Sequence, residues 1–135
     1  MTACEQLKEE YLKEITTLIN TWKENSSRLG KEGAKDEAIL ETIKVNVGDI
    51  FYKMFNISYN NSCKKVEADH VELNKLSKAY LAFFDKIPAP WKEKMVKDKQ
   101  FNMMEEYYKE EIKLATADKL KNLFIEYYHR FYKEI

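Results

Sequence analysis

A chain of 135 residues suits one domain, and at that length roughly two-thirds of the unfolded surface can be buried, so a core needs no disulfide or metal staple. With 23 basic and 23 acidic side chains the net charge is zero, which removes the overall electrostatic case for a nucleic-acid partner. Three glycines and two prolines among many strong helix formers predict an all-α domain and argue against a glycine loop that cradles phosphate.

The first helix is expected to start at Thr2, which forms a capping-box pattern with Glu5. Leu7, Tyr11, Ile15, Leu18 and Trp22 then recur at helical spacing, widened by Leu12 and Ile19. The pattern weakens at Asn25-Ser26-Ser27 and stops by Gly30 or Gly33. A second helix is expected from Asp36 as N-cap, with a stripe through Ile39, Ile43, Val47, Ile50 and Met54, flanked by Leu40, Phe51 and Phe55. The short connection predicts an antiparallel hairpin.

Asn56 to Ser62 reads as a break, because Asn and Ser favour turns. A third helix falls within Lys64 to Lys86, with Val66, Leu73, Leu76, Tyr80, Phe83, Phe84 and Ile87 apolar, and Pro88 stops it. Pro90 suits the first turn of a short basic helix from Trp91 to about Lys99, with Trp91 closing one end of the bundle and the lysines in solvent. Asn102 with Glu105 resembles a second capping box. From there one long helix runs to the C-terminus, with a bend expected near Thr116-Ala117-Asp118. The fold expected for residues 1–135 is a single all-α bundle of four main helices plus one short helix, built from two helical hairpins.

Cys4 and Cys63 are the only cysteines. Without a C-x-x-C pair there is no zinc or redox motif, and both are expected to be reduced and structural. Lysine outnumbers arginine 21 to 2, which points to an AT-rich coding sequence and a bacterial source. No apolar leader precedes the first helix and no stretch approaches the ~18–20 apolar residues of a membrane span. A cytoplasmic protein without stable membrane insertion is therefore expected.

Both histidines sit in the same pattern, Glu67-Ala68-Asp69-His70 and Glu126-Tyr127-Tyr128-His129. Two E-x-x-H motifs are half the ligand set of a bundle-type di-metal site, with Glu14 and Glu41 available for the other half. Helical phase argues against it. On a wheel centred on Leu120, Phe124, Tyr127, Tyr128 and Phe131, His129 lies about 140° and Glu126 about 160° from the buried face. His70 lies about 80° and Glu67 about 140° off the third helix's face. An exposed Glu-His pair at this spacing is an ordinary surface contact, so no metal and no cofactor is expected.

No nucleophile elbow, P-loop or dinucleotide fingerprint occurs. The last helix carries more tyrosines than one stripe can bury: Tyr107, Tyr108, Tyr127, Tyr128 and Tyr132. Tyr is favoured at interfaces because it buries a large area and keeps a polar tip, and these five are the interface candidates. The expected function is a small non-catalytic interaction or regulatory module, homodimeric through this helix or engaging a protein partner, with no nucleic acid bound. The alternative is a metal- or small-molecule-binding bundle that uses an aromatic and Met-lined pocket or the Glu/His pairs.

Overall fold

The computed structural model describes residues 1–134. It is all-α, with helices α1 (Ala3–Lys31), α2 (Lys35–Ser62), α3 (Asp69–Lys86), α4 (Ala89–Gln100) and α5 (Met104–Lys133), and no strand among the described residues. Thr2 caps α1 as expected: its Oγ1 accepts from the Glu5 amide at 3.1 Å, and Glu5 Oε1 accepts from the Thr2 amide at 3.3 Å. The Asn25-Ser26-Ser27 stretch stays helical, because Ser26 Oγ finds the Ala38 carbonyl and the Thr42 hydroxyl on α2.

Helices α1 and α2 form an antiparallel hairpin with a legible register. Asn25 faces Glu41, Ser26 faces Thr42, Ile19 faces Gly48, Tyr11 faces Phe55 and Lys8 faces Tyr59. The stacked pair Phe51–Phe84 and the edge pair Phe55–Tyr80 make α3 antiparallel to α2. Contacts of Ile39 with Tyr108 near one end and Phe55 with Phe124 near the other make α5 parallel to α2. The result is an up-down-up-down bundle whose third member is broken at Ile87-Pro88 into α3 and α4. The break has a consequence for packing: α4 lies chiefly on α5.

Three boundaries differ from the sequence expectation. Ala34, not Asp36, holds the cap position of α2; Asp36 sits in the first turn, where an acid still suits the helix dipole. The predicted break at Asn56–Ser62 is helix throughout. Ser58 returns its hydroxyl to the Met54 carbonyl at 2.8 Å, and Ser58 and Ser62 are buried, so tertiary packing overrides the local turn preference. Asn102 takes a left-handed φ of 56° and makes no cap; Met103 precedes α5 without a side-chain cap. No break interrupts α5 at Thr116–Asp118, where Thr116 Oγ1 donates to the Ile112 carbonyl at 2.8 Å.

The buried face of α2 also lies elsewhere than expected. Ile39 is exposed, and Val47, Phe51, Phe55 and Ser58 face inward. Val47 belongs to the expected stripe; the flank residues Phe51 and Phe55 join it because they meet an aromatic cluster. The Tyr11 ring lies 5.2 Å from Phe55, 5.8 Å from Tyr80 and 5.5 Å from Phe124, so all four long segments of the bundle meet at one point. Such edge-on aromatic pairs contribute about 0.5–1.5 kcal/mol each beyond area burial.

Two substitutions test this packing. Phe124→Ala should destabilise by about 3–5 kcal/mol in urea unfolding, and a loss below ~1 kcal/mol would place Phe124 outside the core. A Cβ at Gly48 would stand 2.7 Å from Ile19 Cγ1 and 3.4 Å from Trp22 Cζ3, whereas one at Gly30 meets nothing within 4 Å. Gly30→Ala should therefore gain about 0.5–1 kcal/mol of helix propensity. Gly48→Ala should forfeit that gain to overpacking of about 1–3 kcal/mol and end less stable than the parent.

Candidate functional site

The E-x-x-H residues lie on the outside. Glu67 stands in the loop before α3 and pairs with Lys75; His70 is exposed in the first turn of α3. Glu126 and His129 are exposed on α5, the His129 ring beside that of Tyr128. Glu14 accepts from the Tyr127 hydroxyl at 2.5 Å, and Glu41 accepts from Asn25 at 3.4 Å and pairs with Lys44 at 3.1 Å. Among the described residues no three of His, Cys, Asp and Glu are arranged to hold a metal ion.

The neighbourhood of Glu67 holds a residue the sequence did not single out. Glu72 is buried and accepts from three successive amides of the α2–α3 loop: Lys65 at 3.2 Å, Val66 at 3.0 Å and Glu67 at 3.1 Å. Lys65 is left-handed, with φ 60°, which turns the loop around the carboxylate. Burial pushes the Glu72 carboxyl up, but the amides of Glu67, Val66 and Lys65 outweigh it and hold it below the usual carboxylate range. Its role is to close a loop. The only signal in the sequence was an acid placed to receive amides from an upstream polar stretch, a pattern too common to be specific.

The five tyrosines do not form one surface. Tyr127 and Tyr128 lie against the core, Tyr127 with its hydroxyl on Glu14, and Tyr132 stacks loosely on Tyr128 near the C-terminus. Tyr107 and Tyr108 sit about five turns away, at the opposite end of α5. There Tyr108, 54% exposed, adjoins Ile39, 46% exposed, in an open groove of about 240 Å³ lined also by Asp36, Leu40, Glu105 and Lys109. Through Glu105 the groove continues into a depression lined by Met103, Met104 and Asn102. Phe101, 73% exposed, stands at the α4–α5 turn, two residues before Met103.

Helix α4 borders the same end and is held by charge. The one residue it buries is Asp98. Lys94 donates to Asp98 Oδ2 at 3.0 Å and reaches Glu106 Oε2 and Glu110 Oε1 at 3.6 Å each. The Asp98 hydrogen bond raises the Lys94 ammonium above its ordinary value. Lys113 also pairs with buried Glu110, at 3.1 Å, and stands 5.8 Å over the Trp91 ring. Lys94 is exposed, as the sequence suggested, and its ammonium also bridges α4 to α5. Glu110 Oε2 remains buried without a hydrogen-bond partner.

No family model, curated protein or solved structure matches the chain. The functional reading rests on the residues and their geometry.

The lowered Glu72 carboxyl has a definite sign for stability. A folded-state value below the ordinary carboxylate value of 4.5 contributes stability that is present above about pH 4.5 and is lost as pH falls through the folded value. Glu72→Gln should be destabilised most above that pH, and its deficit relative to the parent should shrink on acidification. Denaturant midpoints between pH 3 and 7 give the comparison; a deficit independent of pH would mean that the charge of Glu72 is not what closes the loop.

Proposed function

We propose that this chain is a non-catalytic helical interaction module that forms a homodimer through the open end of α2 and α5. The observation that supports this reading is the group of exposed apolar side chains at this end: Ile39 and Tyr108 line one groove, and Met103 and Met104 line a second depression that shares Glu105 with it. Aromatic and methionine side chains of this kind are what interfaces concentrate. Its rim carries both signs, with Asp36 and Glu105 against Lys109. A two-fold contact pairs residue i of one copy with residue j of the other and j with i, so a rim of mixed sign is self-complementary. A chain of zero net charge adds no long-range repulsion between copies. Nothing in the arrangement favours an acidic, basic or nucleic-acid partner over a second copy.

A small apolar ligand in the groove is the alternative occupant. The groove is open, and its volume of about 240 Å³ falls below the ~300–1,000 Å³ of ordinary ligand sites. That favours a protein face.

Light scattering at micromolar concentration should give twice the 16.1 kDa chain mass. Tyr108→Glu should halve it with helicity intact, while Tyr132→Glu, at the other end of α5, should leave it unchanged. A monomeric parent chain, or dissociation by Tyr132→Glu alone, would overturn the reading.

A further inference from the structure

The two cysteines are 59 positions apart in sequence, yet the α1–α2 hairpin brings them together. Each residue forward along α1 faces one residue back along α2, through the pairs Ser26–Thr42, Ile19–Gly48 and Lys8–Tyr59. Continued by one turn, that register sets Cys4, in the first turn of α1, opposite Cys63, the residue that ends α2. The side chains belong to one packed neighbourhood there, Cys63 lying against the core cluster that contains Cys4. Cys4 is fully buried and Cys63 half-buried, and both pack in the same core cluster. One turn before Cys63 on α2 stands Tyr59, whose ring carries the Lys8 ammonium 4.4 Å from its centroid.

We propose that Cys4 and Cys63 are an oxidative modification site, a thiol pair that closes to an intramolecular disulfide by exchange with a small-molecule disulfide such as oxidised glutathione. Cys63, the more accessible of the two, attacks one sulfur of the oxidant as its thiolate. A mixed disulfide forms and the first glutathione thiol leaves. The Cys4 thiolate then attacks the Cys63 sulfur, forms the protein disulfide and expels the second glutathione thiol. Two protein thiols are oxidised, one oxidant disulfide is reduced to two thiols, and the two protein protons pass to the departing thiolates.

The surroundings set the rate. The neighbouring Cys4 thiol, then burial, hold the Cys63 thiol up and protonated, and the nearby Lys8 charge works in the opposite direction. Closure should therefore be slow, on the scale of the minutes to hours of uncatalysed exchange, and the pair is a staple rather than a fast sensor. A bridge here ties the start of α1 to the end of α2 and closes nearly the whole hairpin. A loop that long removes much of the unfolded chain's freedom.

The test uses the full chain incubated with oxidised glutathione. The expected product is a monomeric chain lighter by two hydrogen atoms, with no free thiol and a melting temperature raised on the order of 10 °C; dithiothreitol restores the starting state. Cys4→Ser, treated identically, should show no such rise. Four results would each overturn the proposal: thiols that stay free after a day, a glutathione adduct that never closes, chains cross-linked between copies, or a bridge that leaves the melting temperature unchanged.

Discussion

The hydroxyl of Tyr11 is the constraint on which the bundle turns. A buried phenol must find partners or forfeit its hydration. This one donates to the Leu120 carbonyl of α5 at 3.0 Å and lies 2.7 Å from the Tyr80 hydroxyl of α3. The ring beneath it packs on Phe55 of α2 and Phe124 of α5. Apolar contact alone tolerates sliding, because Leu, Ile and Phe surfaces are interchangeable over a turn. A hydrogen bond to one named carbonyl is not. Burial pushes both tyrosines well above the ordinary phenol range, so they remain neutral and keep their protons for this network.

Order falls away from that point towards one end. On the near side every loop is tied: Thr2 and Glu5 cap each other, Asp69 accepts from the Ala3 amide at 3.3 Å, and Glu72 gathers three amides. On the far side the buried apolar positions stop at Trp22 on α1 and Val45 on α2. There α4 replaces α3, and it buries an aspartate rather than a leucine. A helix held by a lysine clamp over three carboxylates keeps its place while leaving little apolar surface between itself and α5. The exposure of Phe101, Met103, Met104, Tyr108 and Ile39 follows from that substitution of charge for packing.

The outcome at particular residues explains what sequence can and cannot carry. Thr2 with Glu5 and Pro88 act through their own neighbours, so the start of α1 and the break of the third helix could be read directly. Periodicity found α1 and the core half of α5 because Tyr11, Ile15, Leu120 and Phe124 are large, regular and buried. It failed on α2, where apolar residues occupy two adjoining faces and only the positions of Phe84 and Tyr80 on another helix decide which is inside. It failed again at Asn56–Ser62, where buried Ser58 and Ser62 look polar in sequence and are interior in space. The helical wheel sent Glu126 and His129 outward, since phase is a local property, and left His70 at the margin, where the structure exposes it; Glu67 lies outside for another reason, because it stands in the loop before α3. It could not foresee that Tyr127 would bond Glu14, that Lys94 would clamp Asp98, or that Cys4 would meet Cys63, since each depends on another helix.

The two ends also differ in how their helix termini are satisfied, and this bears on where a partner can act. At the far end neither α2 nor α5 has a side-chain cap: Ala34 and Met103 occupy those positions, and each takes a backbone conformation outside the usual extended one. At the near end α3 also starts without one, but Thr2 caps α1 and Glu72 ties the loop that leads into α3. Uncapped termini with few buried neighbours are the parts of a protein that open at the lowest free-energy cost. Binding that covers Ile39, Tyr108 and Met104 would remove apolar surface from water and suppress that opening in the same event. The tied end has no comparable slack to lose. A partner's contribution to order would therefore be largest where the chain's own packing is thinnest, and the exposed Ile39, Tyr108 and Met104 lie there rather than at the tyrosines near the C-terminus.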